Sequence, residues 1–86
     1  MVEKETVIVP KAGLHARPAA RFVKEAKSYG SDIVVIKDTR EANAKSSLKL
    51  MTLGAKHGDS VVVRAEGEDE EAAVEALVAI LSQEEE

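Results

Sequence analysis

The sequence predicts an α+β fold of order β-α-β-β-α-β-α, with one four-stranded antiparallel sheet covered on one face by three helices. Four segments show the polar and apolar alternation or the β-branched content of half-buried strands. Three other segments repeat apolar residues at helical spacing, and such stripes are stable only against another element. Because the chain has 86 residues, we expect a single domain over residues 1–86.

The first strand is predicted from Val2 to Val9, where polar and apolar residues alternate until Pro10 ends the run. A loop containing Gly13 precedes the first helix. Pro18 suits the first turn of that helix, because the N–H that proline lacks would be unpaired there. The helix is expected to end near Gly30. Its apolar stripe consists of Ala19, Phe22, Val23 and Ala26.

The middle of the chain predicts two strands and a short helix. Residues 32–37 are strongly β-branched and favour a strand. The turn Asp38-Thr39-Arg40 leads into a weaker strand at about 40–44. Ser46 is placed to cap a short helix that ends at Leu53-Gly54.

The end of the chain predicts a strand followed by a helix. Val61-Val62-Val63 forms the fourth strand, and Asp69 is predicted to cap the final helix. Glu70 and Glu71 favour the positive end of that helix dipole. The apolar stripe of the helix consists of Val74, Leu77, Val78 and Leu81.

The composition excludes several kinds of site. The chain has no cysteine, which excludes a disulfide, a thiol nucleophile and a cysteine-ligated metal. With two histidines in all, we expect no metal and no cofactor. The sequence shows neither an apolar run of about 18 residues nor a charged-then-apolar leader, so we expect a cytoplasmic protein with no membrane insertion.

Charge is divided unequally along the chain. Residues 1–64 hold all 12 basic residues and seven acidic ones, a net charge of +5, whereas residues 65–86 hold nine acidic residues and no basic one, a net charge of -9. The split is typical of a basic surface for an anionic partner, or of a solvated surface with an acidic last helix. Nucleic acid is disfavoured as that partner, because Phe22 and Tyr29 are the only aromatic residues available to stack on bases.

The stretch Gly13-Leu14-His15-Ala16-Arg17-Pro18-Ala19-Ala20 places one histidine directly before the predicted first helix. A helix start exposes unpaired N–H groups and a partial positive charge, which bind phosphate and disfavour an imidazolium ion. His15 is therefore expected to be neutral and nucleophilic, with the Arg17 guanidinium available for phosphate oxygens. These parts suit a phosphoryl acceptor, although a lone histidine at a helix start is more often a capping or surface residue. No Walker-type loop is present, so another protein would have to load His15.

The same stretch resembles the active-site signature of the HPr family, the histidine-containing phosphocarriers of the bacterial phosphoenolpyruvate:sugar phosphotransferase system. The resemblance implies an open-faced β-sandwich and a carrier rather than an enzyme. Phosphorylated enzyme I would place a phosphoryl group on Nδ1 of His15, and IIA domains of sugar permeases would receive it. Arg17 matches the family arginine that steadies the phosphate. The resemblance continues over Arg21–Lys27, Ala44–Ser46, Leu50–Gly54 and Ala65–Glu70.

The resemblance also implies a docking surface for these protein partners, with the chain acting as a monomer. Spacing supports it, because Arg17 and the basic residues that follow it step by three or four positions along one side of the helix. Four residues are candidates for an apolar patch: Leu14, Leu48, Met51 and Leu53. Core packing is the alternative, and it is favoured for Leu53, as it is for Leu50. The basic rim consists of Arg21, Lys24, Lys27, Lys45 and Lys49.

Ser46 has two interpretations. As structure, it caps a helix; as regulation, it matches the serine that a dedicated kinase phosphorylates in the Gram-positive branch of the family.

Two departures from the family pattern stand out. Ser47 occupies a position that is normally apolar, which puts partner choice in doubt, and the turn Asp38-Thr39-Arg40 lacks the glycine of many relatives. That hairpin is therefore expected to use different turn chemistry.

His57, before a glycine turn, is predicted to be a surface loop residue and not a second carrier site. Three alternatives to the sugar phosphocarrier remain. A regulatory binding module would keep the fold without carrying phosphate, although His15 is replaced in known modules of that kind. A nitrogen-related phosphorelay protein would differ in its IIA partner. A small RNA-binding domain is disfavoured by the lack of aromatic residues.

Overall fold

The structure, a computed structural model, describes residues 1–11, 13 and 16–83, without the side chains of residues 16–18. The predicted order of elements is confirmed. The elements are β1 (Val2–Val7), α1 (Ala16–Ala26), β2 (Asp32–Lys37), β3 (Arg40–Asn43), α2 (Ser47–Thr52), β4 (Ser60–Glu66) and α3 (Glu70–Leu81).

The four strands form one antiparallel sheet in the order β1-β4-β2-β3. The last strand in sequence therefore lies in the middle of the sheet, between β1 and β2. In the register, Ala65 of β4 lies between Val2 of β1 and Ile33 of β2. The α+β class and the sheet covered on one face are both confirmed.

Alternation along the strands assigns one face of the sheet to the core. Val61, Val63 and Ala65 of β4 are buried, while Val62 and Arg64 between them are half-buried on the open face. Successive side chains of a strand point to opposite faces of the sheet. When one face packs against helices, every second residue is therefore buried and the residues between them lie on the open face.

The three helices supply the other half of the core. Phe22 of α1, Leu50 of α2 and Leu77 of α3 are each 0% exposed. The predicted stripe of α1 is buried throughout; in α3, three of the four predicted stripe residues are buried and Val78 is half-buried. Each helix thus forms where its apolar period of 3.6 residues can pack against the sheet or a neighbouring helix.

The predicted cap of α2 is confirmed. The Ser46 hydroxyl accepts a hydrogen bond from the backbone N–H of Lys49 at 3.3 Å, and the Ser46 backbone is extended, as at a helix N-cap. The helix ends just before Gly54, which has φ +68°. A left-handed residue at this position is a common helix stop.

The predicted cap of α3 is wrong in its chemistry. Asp69 lies at the N-cap position, but its side chain makes no cap hydrogen bond. The carboxylate instead accepts bonds from the backbone N–H groups of Gly30 (2.9 Å) and Ser31 (3.0 Å), and from the Ser31 hydroxyl. The loop between α1 and β2 presents three donors to this carboxylate, and Asp69 therefore joins two elements rather than closing its own helix.

Two strand boundaries differ from the prediction. β1 ends at Val7 rather than Val9, because the Val9 N–H donates to the Leu81 carbonyl at 2.8 Å instead of pairing in the sheet. β3 ends at Asn43, one residue early. The hairpin between β2 and β3 has a two-residue turn in which Asp38 takes a left-handed φ of +56°.

None of the helices within the described residues is long and apolar enough to cross a membrane.

Candidate functional site

Along the chain, the predicted phosphoacceptor His15 comes between Gly13 and α1, both of which the structure describes. His15 itself and Leu14 fall outside the described residues, as does the side chain of Arg17. The chain on either side is placed: Gly13 is buried, and α1 begins at Ala16, directly after His15. The expectation that His15 precedes a helix start is therefore confirmed along the chain.

Gly13 holds the segment before His15 against a second loop. Its φ is +70°, and a Cβ built there would lie 2.8 Å from the Ala55 carbonyl oxygen and 2.9 Å from Lys56 Cα. Contacts this short leave no room for any side chain, so two stretches of backbone touch directly. Gly13 is required both for its left-handed conformation and for this close approach.

The N-terminus of α1 is electrostatically suited to an anion. Its first turn contains no acidic residue. The unpaired N–H groups and the helix dipole therefore give this end a partial positive charge that no carboxylate of the same turn offsets. An imidazole next to it is favoured in the neutral form, which is the nucleophilic one.

The predicted basic rim lies on α1, on α2 and between them. Arg21 and Lys24 are exposed on α1, Lys27 is exposed directly after the last residue of α1, and Lys49 is exposed on α2. Because α1 and α2 pack together, we group these exposed cations under one name, the basic surface. The ion pairs between described residues involve none of these four side chains.

Lys45 is the rim residue with a defined partner. Its Nζ donates a hydrogen bond to the Tyr29 carbonyl at 2.9 Å, and the side chain is half-buried. Tyr29 follows the last turn of α1, where carbonyl groups carry the negative end of the helix dipole. Lys45 thus stabilises the turn that follows α1, and it also adds a positive charge at the edge of the basic surface.

An apolar side chain stands next to this charge. Leu48 of α2 is 68% exposed, and Met51 is half-buried. Leu50 and Leu53 are 0% and 3% exposed, which confirms core packing for both. Ser47, which departs from the family pattern, is exposed beside Leu48.

The acidic residues of α3 lie on a different helix from the basic surface, whereas Glu25 is an acidic residue of α1 itself. α3 packs on β1 and β4, whereas α2 packs on β3 at the other edge of the sheet, with α1 in contact with both helices. Glu71 and Glu75 are exposed on α3. The division of charge along the sequence therefore becomes a division between helices, with α3 acidic and α1 and α2 mainly basic.

One contact near Gly13 could not be predicted from the sequence. His57 is exposed, which confirms the predicted surface position, but its Nδ1 lies 2.7 Å from the Val9 carbonyl oxygen. The two residues are 48 positions apart in the chain. No local pattern signals such a pair, because it exists only when the two loops are packed together.

Comparison with known proteins assigns this arrangement to a family. The family model described as "PTS HPr component phosphorylation site" matches residues 2–83. The phosphocarrier protein HPr of Vibrio cholerae is 49% identical over 83 residues, covering 96% of this chain and 98% of that protein. The HPr-like protein Crh of Halalkalibacterium halodurans is 45% identical over 84 residues, covering 98% and 100%.

Solved structures agree with this assignment. HPr-C-His from Thermoanaerobacter tengcongensis superposes with a TM-score of 0.91 at 48% identity, covering 94% of this chain and 91% of that one. An HPr dimer from the same organism gives a TM-score of 0.73 at 49% identity, covering 90% and 91%. The fold is thus shared with structures at nearly half identity, and one relative is known as a dimer.

Proposed function

This chain belongs to the HPr family of phosphocarrier proteins, and from that premise we propose that it carries a phosphoryl group on His15. The donor is phosphorylated enzyme I, and the acceptors are IIA domains of sugar permeases. The observation that carries the proposal is the match to a family model named for a phosphorylation site over residues 2–83, with the stretch Gly13–Ala20 inside it.

The proposed chemistry needs one nucleophile and a fixed positive environment. Nδ1 of neutral His15 attacks phosphorus; the new P–N bond forms as the bond from phosphorus to enzyme I breaks. Transfer to a IIA domain reverses this, with Nδ1 as the leaving group, so each molecule is consumed and regenerated as a carrier. The start of α1 and the Arg17 guanidinium offset the phosphate charge.

The basic surface supports docking on acidic partners. Its exposed cations accelerate encounter with a negatively charged protein and lose this effect as salt is added. Leu48 adds a small apolar contact at its edge. A small, charged interface suits short-lived complexes, which a carrier must form and leave repeatedly.

We propose the monomer as the form that transfers phosphate, since one copy contains His15, Arg17 and the basic surface. The dimer found for the Thermoanaerobacter tengcongensis relative makes the oligomeric state a matter for measurement. Sedimentation over a range of concentrations, before and after phosphorylation, tests the proposal. A dimer that persists at the concentration where transfer is observed would contradict it.

Mass spectrometry tests the proposed carriage directly. Incubation with enzyme I, phosphoenolpyruvate and magnesium is expected to add one acid-labile phosphoryl group. His15→Ala should gain nothing, whereas His57→Ala, which removes the other histidine of the chain, should gain the same added mass as the wild type. A phosphoryl group retained by His15→Ala, or none on the wild type from an active enzyme I, would refute the proposal.

A regulatory role is the second candidate, favoured by the 45% identity to the HPr-like protein Crh. In this regulatory role, a kinase phosphorylates the hydroxyl of Ser46. Its hydroxyl lies at the N-terminus of α2, beside Lys49, so a phosphate would add roughly two negative charges next to the basic surface. Incubation with an HPr kinase, with Ser46→Ala as the control, distinguishes this role, because the product would be acid-stable.

A further inference from the structure

The loop after α2 packs against the segment that leads to His15. The Ile8 N–H donates to the Asp59 carbonyl at 2.9 Å, and the Gly58 N–H donates to the Ile8 carbonyl at 2.8 Å. These bonds extend the pairing of β1 and β4 past the end of the sheet. The chain beyond Val7 is therefore held by the loop of residues 55–59.

Val9 is held differently from its neighbours. Its N–H donates to the Leu81 carbonyl at 2.8 Å, while its carbonyl accepts from Nδ1 of His57 at 2.7 Å. A carbonyl oxygen only accepts hydrogen bonds, so Nδ1 must carry the proton. In the neutral ring this leaves Nε2 unprotonated.

Among the residues that the structure describes, His57 is the one side chain that forms a hydrogen bond with this segment. Within the described residues, the other hydrogen bonds to positions 8–13 join backbone groups, including the bond from the Gly13 N–H to the Pro10 carbonyl at 2.8 Å. Truncating a side chain leaves backbone bonds of this kind in place, whereas truncating His57 removes the hydrogen bond of its ring. The same loop also meets Gly13 directly, through Ala55 and Lys56.

We propose that His57 is a positioning residue for phosphoryl transfer. Its Nδ1–H holds the Val9 carbonyl, and with the backbone contact at Gly13 it fixes the segment that ends two residues before His15. The inference rests on the proposed carriage of phosphate by His15. The physical reason is that in-line transfer requires the nucleophile within a narrow range of positions, so that a loosened loop lowers the fraction of productive encounters.

Two matched substitutions test this role. In asparagine the amide nitrogen is bonded to Cγ, as Nδ1 is in histidine, so His57→Asn keeps a donor near the same place. Leucine has a similar branched shape without a donor. The exposed position of His57 makes both variants compatible with folding, which urea unfolding and amide NMR spectra confirm independently of transfer.

The assay is single-turnover transfer from isolated, radiolabelled phospho-enzyme I at increasing carrier concentration. His57→Leu is expected to lower the limiting rate constant by about three- to tenfold. The half-saturating concentration should change by less than about twofold, because the basic surface is untouched. His57→Asn should restore the limiting rate constant to within about twofold of the wild-type value.

Several results would overturn the role of His57. These are equal rate constants in all three proteins, equal losses in both variants, or a change in the half-saturating concentration alone. In the wild type, a long-range ¹H–¹⁵N spectrum of the neutral ring should show the proton on Nδ1, and a proton on Nε2 would exclude the contact. Failure of the wild type to accept any phosphoryl group would instead refute the proposed function itself.

Discussion

Replacing Gly13 by alanine tests the packing that places the proposed phosphoacceptor. The added Cβ would lie 2.8 Å from the Ala55 carbonyl oxygen and 2.9 Å from Lys56 Cα. Both atoms belong to the backbone, so neither can rotate away as a flexible side chain would. The new methyl group therefore forces the two loops apart or forces Gly13 out of its φ of +70°.

The expected loss in the free energy of unfolding has two contributions. A left-handed conformation costs a residue with a Cβ about 1–2 kcal/mol. Crowding in a packed region adds about 1–3 kcal/mol. Alanine recovers about 0.4–1 kcal/mol, because it has fewer conformations than glycine in the unfolded chain. The free energy of unfolding should fall by about 3 kcal/mol, a large part of the stability of a small domain.

Two other glycines separate these parts. Gly54 has φ +68° but nothing within 4 Å of a built Cβ, so Gly54→Ala has only the conformational cost. Its free energy of unfolding should fall by about 1 kcal/mol. Gly30 likewise has nothing within 4 Å and no positive φ. Gly30→Ala should be neutral or stabilising by about 0.5 kcal/mol.

Urea unfolding followed by circular dichroism at one pH provides the measurement. The expected order of stability is Gly30→Ala, then Gly54→Ala, then Gly13→Ala. Phosphoryl transfer from enzyme I to Gly13→Ala should also be slower under conditions where the protein is fully folded. Equal destabilisation of the Gly13 and Gly54 variants would refute the reasoning, because it would show that the two loops separate at no cost.

Three further predictions concern charge and turn chemistry. Hydrogen bonds, of which the one from the Ser31 hydroxyl has the largest effect, lower the pKa of Asp69. The ionised Asp69 carboxylate therefore stabilises the fold above the ordinary aspartate pKa, and this stabilisation is lost as pH falls through the lowered pKa. The difference in urea midpoint between the wild type and Asp69→Asn should therefore begin to shrink as pH falls below about 4 and shrink further through the lowered pKa. Asp38→Gly, which removes a side chain at φ +56°, should raise the free energy of unfolding by about 0.5 kcal/mol in urea titrations. Lys27→Gln should slow second-order transfer from phospho-enzyme I about twofold at low salt and less at high salt, as stopped-flow or quench kinetics would show.

Each of these predictions has a control within the chain. Asp32→Asn alters an exposed aspartate on β2. The urea midpoint of this variant should depend on pH as that of the wild type does, unlike the urea midpoint of Asp69→Asn. Thr39→Gly, at the second turn residue, where φ is not positive, should destabilise the protein. Lys4→Gln, on the strand at the opposite edge of the sheet from α2, should leave transfer unchanged. A control that behaves like its partner variant would contradict the corresponding argument.

The elements of the fold were predictable because their signals are local. The buried stripe of α1 recurs every three or four residues, and that period alone identifies a helix and the side of it that packs. The cap at Ser46 depends on a donor only three positions away. The site could be proposed from the sequence alone, since Gly13–Ala20 is one uninterrupted stretch.

Other features depend on residues that are distant in the chain. Asp69 was predicted to close its own helix, yet it binds Ser31, which lies 38 positions away. His57 binds Val9 across 48 positions, and Lys45 binds the Tyr29 carbonyl across 16. The same polar side chain can satisfy its hydrogen bonds locally or across the fold, and the local pattern does not distinguish the two.

The sequence by itself therefore determined the kinds of element, their buried faces and the residues proposed to carry phosphate. Tertiary structure alone decided where β1 leaves the sheet, which loop supports Gly13 and which loop binds the Asp69 carboxylate. The physical reason is that periodicity and capping act within a few residues, whereas hydrogen bonds and charge separation between elements depend on how those elements pack.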